Sequence, residues 1–324
     1  MYINVSRNAS STLYTCPPSN LNFPPSGSLD IPQLIASLIL MLASPVTVCF
    51  NLLAIIVICS NRCLRTFSNV LIVNLCITDL MTGLLTQPFY AADMLYAALH
   101  GRPMCILNSL AVFSGYLFGS VSYMVLFLIW VDRFCAIFHP FWYFEKTQSF
   151  SSLNKCIIAL WLYTTVALLA SWFTSHFVYF ITQVMIALPL VYLWCVYVII
   201  KINIKLRKIR TQDKSLNVDR TAGSNATGAN SNATKLAYYV LTSMFLCYCP
   251  LTTSLVLNRW KLIGAAPLAL LRTFSIVIVQ CNSFITFFVY CFLLKQFRRK
   301  VFDLLQLRVI LPMRRLVGSN NTSN

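Results

Sequence analysis

"WVDRFCAIFHP", residues 130–140, decides how this chain folds. It closes a run, Pro103–Val131, that holds no Lys, Arg, Asp or Glu, and then sets Asp132 beside Arg133. As a helix, a neutral run of that length crosses the roughly 30 Å hydrocarbon core of a bilayer. Taken alone, the pair reads as an anchor at the interface, where a long basic side chain reaches back to water.

The same pattern recurs outward from this stretch. Of 324 residues, 58% are hydrophobic and 10% charged, a balance that excludes an ordinary soluble globular protein. Further neutral runs are Ile31–Cys59, Phe67–Ala92 (broken only by Asp79), Cys156–Ile200, Leu236–Leu257 and Pro267–Leu294, the last with Arg272 near one end. Cys156–Ile200 would reach about 67 Å as one helix. It is expected to fold back at Ser171–His176, its most polar part.

The expected architecture is therefore an all-α membrane protein, a seven-transmembrane helix bundle with spans at 31–59, 67–97, 103–136, 153–172, 175–205, 234–258 and 266–294. Residues 1–30 read as a polar, disordered tail, with no cleavable signal peptide, and 307–324 as a second tail. The stretch 221–235, "TAGSNATGANSNATK", has little to bury and reads as a flexible loop.

Charge gives the orientation. The net charge is +17, and most of the 25 Lys and Arg fall after the first span, between the third and fourth, between the fifth and sixth, and after the seventh. Basic flanks stay on the cytoplasmic side, so the amino terminus is expected outside a plasma membrane, and the charge signals membrane lipid rather than nucleic acid. Sequons at Asn4 and Asn8 then lie where glycosylation occurs; those at Asn225, Asn232 and Asn321 should stay bare. Most of the 13 cysteines lie inside apolar runs and act as small hydrophobes.

Asp79 is the one ionisable residue deep in a span. Charge there is costly and marks a function; the alternative is a neutral carboxyl that glues helices. With Ser122, Asn282 and Ser283 it offers oxygens suited to a small hard cation, a candidate Na⁺ site. No other cofactor is expected.

In this order, the motifs resemble those of a rhodopsin-like (class A) G-protein-coupled receptor. The resemblance rests on Asn51, on "NLCITDL" with Leu75 and Asp79, on Asp132-Arg133-Phe134, on Trp161, Pro189 and Tyr197, on Cys247-Tyr248-Cys249-Pro250, and on Tyr290 followed by Phe297. It implies a short amphipathic eighth helix at 295–306, with Arg298, Arg299 and Lys300 on its polar side. It also implies that Arg133 is held by Asp132 at rest. An outer ligand would swing the sixth helix outward, and Arg133 would then extend toward Tyr197 and Tyr290 and meet a heterotrimeric G protein. Such a receptor is a bistable bundle whose equilibrium the ligand shifts.

The sequence departs from that family in several places. Phe134 replaces Tyr, Tyr248 replaces a Trp, and Thr286-Phe287-Phe288-Val289-Tyr290 replaces Asn-Pro-x-x-Tyr, removing an expected kink. No acid lies near Asn230 to pair with Arg133, so raised basal signalling is expected. The usual cysteine before the fifth span is missing; Cys16 and Cys105 are left outside, either bridged or as two free thiols. The short second outer loop resembles the melanocortin, cannabinoid and adenosine branch. Phe89, Asn108 and Val112 stand where melanocortin receptors carry acids, so their peptide assignment does not transfer.

The resemblance places an outer pocket at Phe89, Asp93, Met94, Gly115, Phe118, Gly119, Tyr248 and Gln280. Gly115 stands where amine receptors carry Asp, and Gln280 where opsins carry the retinal Lys, which argues against both ligand classes. A small molecule, a lipid or a peptide remains. Rival readings are a non-signalling or atypical seven-helix receptor, a transporter and a membrane hydrolase. No repeat between halves supports the transporter, and His100, His139 and His176 cannot share one hydrolase site. No catalytic residues are expected.

Overall fold

Local sequence signals mark several of the helix ends. The computed structural model describes residues 4–8, 11–16, 21–23, 30–146, 151–173, 188–215, 223–293 and 297–303. Helix α1 (Ile31–Ser60) begins at Asp30, whose carboxylate accepts from the Gln33 N–H at 3.3 Å. Helix α2 (Phe67–Met81) begins at Thr66, which caps the Asn69 N–H. A single π turn (Thr82–Thr86) joins it to α3 (Gln87–His100). The turn comes just before Pro88, which has no N–H to donate and whose ring crowds the preceding turn. Gly101, in the left-handed conformation, ends α3.

Helix α4 (Cys105–Phe138) is the third span, and α5 (Pro140–Lys146) is a short helix after it. They break at His139 because the residue before a proline is pushed out of the helical region. Next come α6 (Ser151–Phe173), α7 (Leu188–Ser215), α8 (Gly223–Trp260), α9 (Ala265–Leu293) and α10 (residues 297–303). Among the described residues, five helices are long and apolar enough to cross a membrane: Ile31–Ser60, Phe67–His100, Cys105–Phe138, Ser151–Ala170 and Ala265–Val289. With α7 and α8 they form the expected seven-helix bundle.

The core lies around the third span. Val121, Val125, Leu126 and Trp130 of α4 are fully buried against Leu71 and Cys76 of α2, Val57 of α1, Ile202 of α7 and Met244 of α8. Outward-facing Leu42, Leu162, Leu193 and Leu246 are exposed, as lipid-facing residues are. Phe297 and Val301 bury one face of α10 in this core while Arg298 and Arg299 face out, so the eighth helix is amphipathic as expected.

Several expectations need correction. The tail is not wholly disordered: β1 (Asn4–Asn8), β2 (Ser11–Cys16) and β3 (Leu21–Phe23) form an antiparallel sheet in that order, with β2 against α4 and β3 against α9. Cross-strand pairs such as Val5 with Tyr14 and Tyr14 with Phe23 suit a strand, and composition hides them. Of the expected flexible loop, residues 223–235 are the start of α8. Extending a helix already nucleated by the sixth span costs far less than starting one. Helix α5 was not foreseen. The fold-back between fourth and fifth spans is not seen at Ser171, where α6 is still helical; residues 174–187 lie outside the described residues.

Candidate functional site

The end of the bundle opposite the strands holds a buried polar cluster. Asp132 and Arg133 are almost fully buried, 4% and 7% exposed. Arg133 Nε donates to Asp132 Oδ2 at 2.9 Å, and Nη2 also donates to that oxygen and to Ser68 Oγ. Ser68, at the start of α2, donates in turn to Asp132 Oδ2 at 2.8 Å. Tyr143 of α5 donates its hydroxyl to Asp132 Oδ1 at 2.7 Å. A buried ion pair is tolerable only when its remaining lone pairs and protons are met this way. Burial, reinforced by the Asp132 charge, pushes the Tyr143 hydroxyl up to about 12.

Around this cluster, Phe134 stacks on Phe138 with centroids 4.6 Å apart and lies near Trp194 of α7. Lys205 donates to the Ile137 carbonyl at 2.7 Å and sits 4.7 Å from the Phe138 ring, satisfying a carbonyl at the α4 exit. Tyr197 is 47% exposed, against Trp194 and under Lys201. Pro250 lies inside α8. Tyr290 is on α9, but its side chain lies outside the described ones.

Asp79 is buried and takes a side-chain hydrogen bond from Ser283. Ser122 donates to Thr78 Oγ1 at 2.6 Å, one residue from Asp79. Asn282 is buried beside Ser283, whose carbonyl accepts from Asn51 Nδ2 at 3.0 Å. The four residues expected to share a site thus come from spans that meet here. Thr78, not foreseen, is a fifth oxygen source. Trp161 Nε1 donates to Asn74 Oδ1 at 3.1 Å, tying the fourth span to the second.

Toward the strand end the expected pocket residues divide. Asp93 is buried, and its two oxygens accept from the Met104 N–H at 3.1 Å and from Asn108 Nδ2 at 2.9 Å. It caps the start of α4 from a neighbouring helix. Met94 packs with Ala36, Leu40, Ala91 and Val277, between the first and seventh spans. Phe118 is buried against Trp161, and Phe89 is half-buried. Gly119 faces Tyr248, whose hydroxyl would lie 3.3 Å from a Cβ there. Gly115 faces Thr86 and Tyr90. Gln280 is buried, and its carbonyl accepts from Gln87 Nε2 at 2.9 Å.

Cys105 is disulfide-bonded, and the eleven cysteines from Cys49 to Cys291 apart from it are free. Asn4 and Asn8 are the end residues of β1. Sequence reasoning missed Ser68, Tyr143, Thr86 and Gln87. None stands in a motif of its own, and each acquires its partner only through helix packing.

Comparison with known proteins agrees with this geometry. Residues 50–176 match the profile of the 7 transmembrane receptor (rhodopsin family). A melanopsin-like protein of Danio rerio is 32% identical over 145 residues, 43% of this chain and 28% of that protein. The human histamine H2 receptor is 38% identical over 100 residues, 30% of this chain and 27% of the receptor. The chain thus matches under a third of the length of these relatives. The crystal structure of squid rhodopsin superposes with a TM-score of 0.69 at 16% identity, over 85% of this chain and 86% of that one. The seven-helix arrangement matches the fold of that rhodopsin, and the profile match over residues 50–176 makes this part of the chain similar to the rhodopsin family of seven-transmembrane receptors.

Proposed function

We propose that this protein is a G-protein-coupled receptor of the plasma membrane, with its strand end outside and its Arg133 end in the cytoplasm. The carrying observation is the restraint on Arg133. The guanidinium is buried and turned onto Asp132 and Ser68, inside a bundle end that must open before it can reach a partner. That is the closed member of a two-state system. An extracellular ligand acts by binding the open member more tightly. The partner of the open state is a heterotrimeric G protein, and the basic starts of the cytoplasmic segments face anionic lipid.

The relative named a histamine receptor does not carry its ligand across, because Gly115 supplies no carboxylate. A small molecule, lipid or peptide of other chemistry is the proposed ligand. The Asp79 carboxyl, the Ser283, Ser122 and Thr78 hydroxyls and Asn282 fit a small hard cation such as Na⁺, which would stabilise the closed state by neutralising a buried charge. A Cys16–Cys105 bridge is supported by the oxidised state of Cys105 and by the contact of β2 with α4.

The test is Arg133→Ala, assayed across several G-protein families at matched surface expression. Loss of basal and ligand-driven activation is expected. Unchanged signalling would mean that G proteins are engaged another way, and no signalling from the parent receptor with any ligand in a broad library would favour the non-signalling reading.

A further inference from the structure

We propose that the lipid-facing side of the fourth span binds a second copy of this chain, with Tyr163 of one copy against Tyr163 of the other. The inference uses the membrane-spanning fold alone and goes beyond the signalling role proposed above. Tyr163 of α6 is 64% exposed, and no hydrogen bond or ring contact joins it to another described residue. The hydroxyls next to it are served by their own helix: Thr164 and Thr165 donate to the Leu160 and Trp161 carbonyls, each at 2.8 Å. A phenol at the far end of a ring cannot turn back in this way. Tyr163 stands twelve residues after Ser151, about 18 Å along a helix of about 33 Å. That is near the middle of a roughly 30 Å hydrocarbon core, too deep for the hydroxyl to reach water at either surface. An unpaired polar group at that depth is costly.

Depth decides the occupant. Lipid ester carbonyls, phosphates and sterol hydroxyls lie at the two surfaces and leave the middle of a bilayer without donors or acceptors. A protein supplies them at that depth. A two-fold axis along the membrane normal keeps every residue at its own depth, and so sets Tyr163 against Tyr163. Two phenols then satisfy one another, one donating its O–H and the other accepting it, because each group does both.

The fourth span also has a face to give. In its most apolar stretch 17% of the residues are buried, against 33–50% in the other four spans that are long and apolar enough to cross, so the bundle covers this helix least. Cys156, Ala159, Tyr163, Val166 and Ala170 are all exposed and recur at alternate steps of three and four. That spacing is the seam of two parallel helices crossing at about 20°. Leu162 and Leu169, exposed beside the seam, extend its apolar surface.

The experiment uses the full chain in native membranes at low density. The seam carries its own probe, since Cys156 is a free, exposed thiol that the contact brings near its counterpart in the second copy. Mild oxidation with copper phenanthroline should give a disulfide-linked dimer on non-reducing gels, absent from Cys156→Ser. Fluorescently tagged Cys156→Ser should still bleach in two steps, because the contact does not need the bridge. Tyr163→Phe keeps the ring and faces lipid, so it should melt with the parent yet weaken the dimer about threefold, the value of one hydrogen bond between helices in lipid. A linked dimer that persists in Cys156→Ser would come from another face, and a linked product of different mass would contain another protein. Either result, single-step bleaching of the parent, or undiminished dimerisation of Tyr163→Phe would overturn the proposal. None of these readouts involves a G protein, so failure here and failure of Arg133→Ala are separate results.

Discussion

Tyr143 hydrogen-bonds Asp132 across a helix break, 2.7 Å from hydroxyl to carboxylate, and so ties the loop helix to the acid that restrains Arg133. The usual restraint from the sixth span has no acid here, since residues 223–260 hold no Asp or Glu. The loop helix takes that part. Tyr143→Phe should raise basal G-protein activation several-fold, because a hydrogen bond to a charged acceptor contributes about 1.5–3 kcal/mol to the closed state. A cyclic-nucleotide or calcium reporter at matched surface expression reads the outcome; basal activity equal to the parent's would remove Tyr143 from the restraint.

The same hydroxyl sets a pH dependence. Its folded value of about 12 lies above the ordinary value near 10, so the protonated, donating form is favoured in the folded state. The bond is therefore fully present below about pH 10, and its contribution falls as pH rises from there toward 12. Difference absorbance titration of the parent against Tyr143→Phe should isolate a phenol that ionises later than exposed tyrosines. One ionising near pH 10 would show that its burial is lost in solution.

Gly83 lets the first two spans touch. A Cβ there would stand 3.0 Å from Val48 and 3.1 Å from Thr47, and Ser44 already donates to the Gly83 carbonyl at 2.8 Å. Gly83→Ala should destabilise the detergent-solubilised protein by about 1–3 kcal/mol, the usual cost of overpacking. Thermal unfolding followed by thiol-reactive dye reads it, and an unchanged midpoint would mean the spans give way freely.

Phe287 stands where the family has a proline. Its ring stacks on Phe50 at 4.8 Å and meets Phe297 edge-on at 6.0 Å. Phe287→Ala should cost about 3 kcal/mol, as large buried truncations do. Phe287→Leu should cost less. Equal melting of both variants and the parent would show that the rings contribute nothing.

Much of this was readable in the sequence because bilayer physics writes long signals. Neutral runs marked seven helices, Asp79 stood out as a charge at a costly depth, Asp132–Arg133 as an acid–base pair at the end of a span, and Trp161 stood at its family position. What stayed hidden depends on who meets whom. Tyr143 sits among aromatic neighbours in "FWYFEK", and nothing there says that one ring will turn onto Asp132. Asp93, expected among the pocket residues, also caps a neighbouring helix, a partnership 11 residues away along the chain. The π turn before Pro88 has no period of its own. The strands at Asn4–Cys16 are too short and too polar to outweigh a composition typical of disorder.

The stacked rings of Phe50, Phe287 and Phe297 weld the first span, the seventh span and the terminal helix into a single keel. A keel bends little, so the motion that would free Arg133 is expected on the far side of the hull, where the sixth span carries Pro250 inside its helix. A molecule resting only on the keel would have no lever. To act, it must also lean on the wall that Tyr248 presents to Gly119.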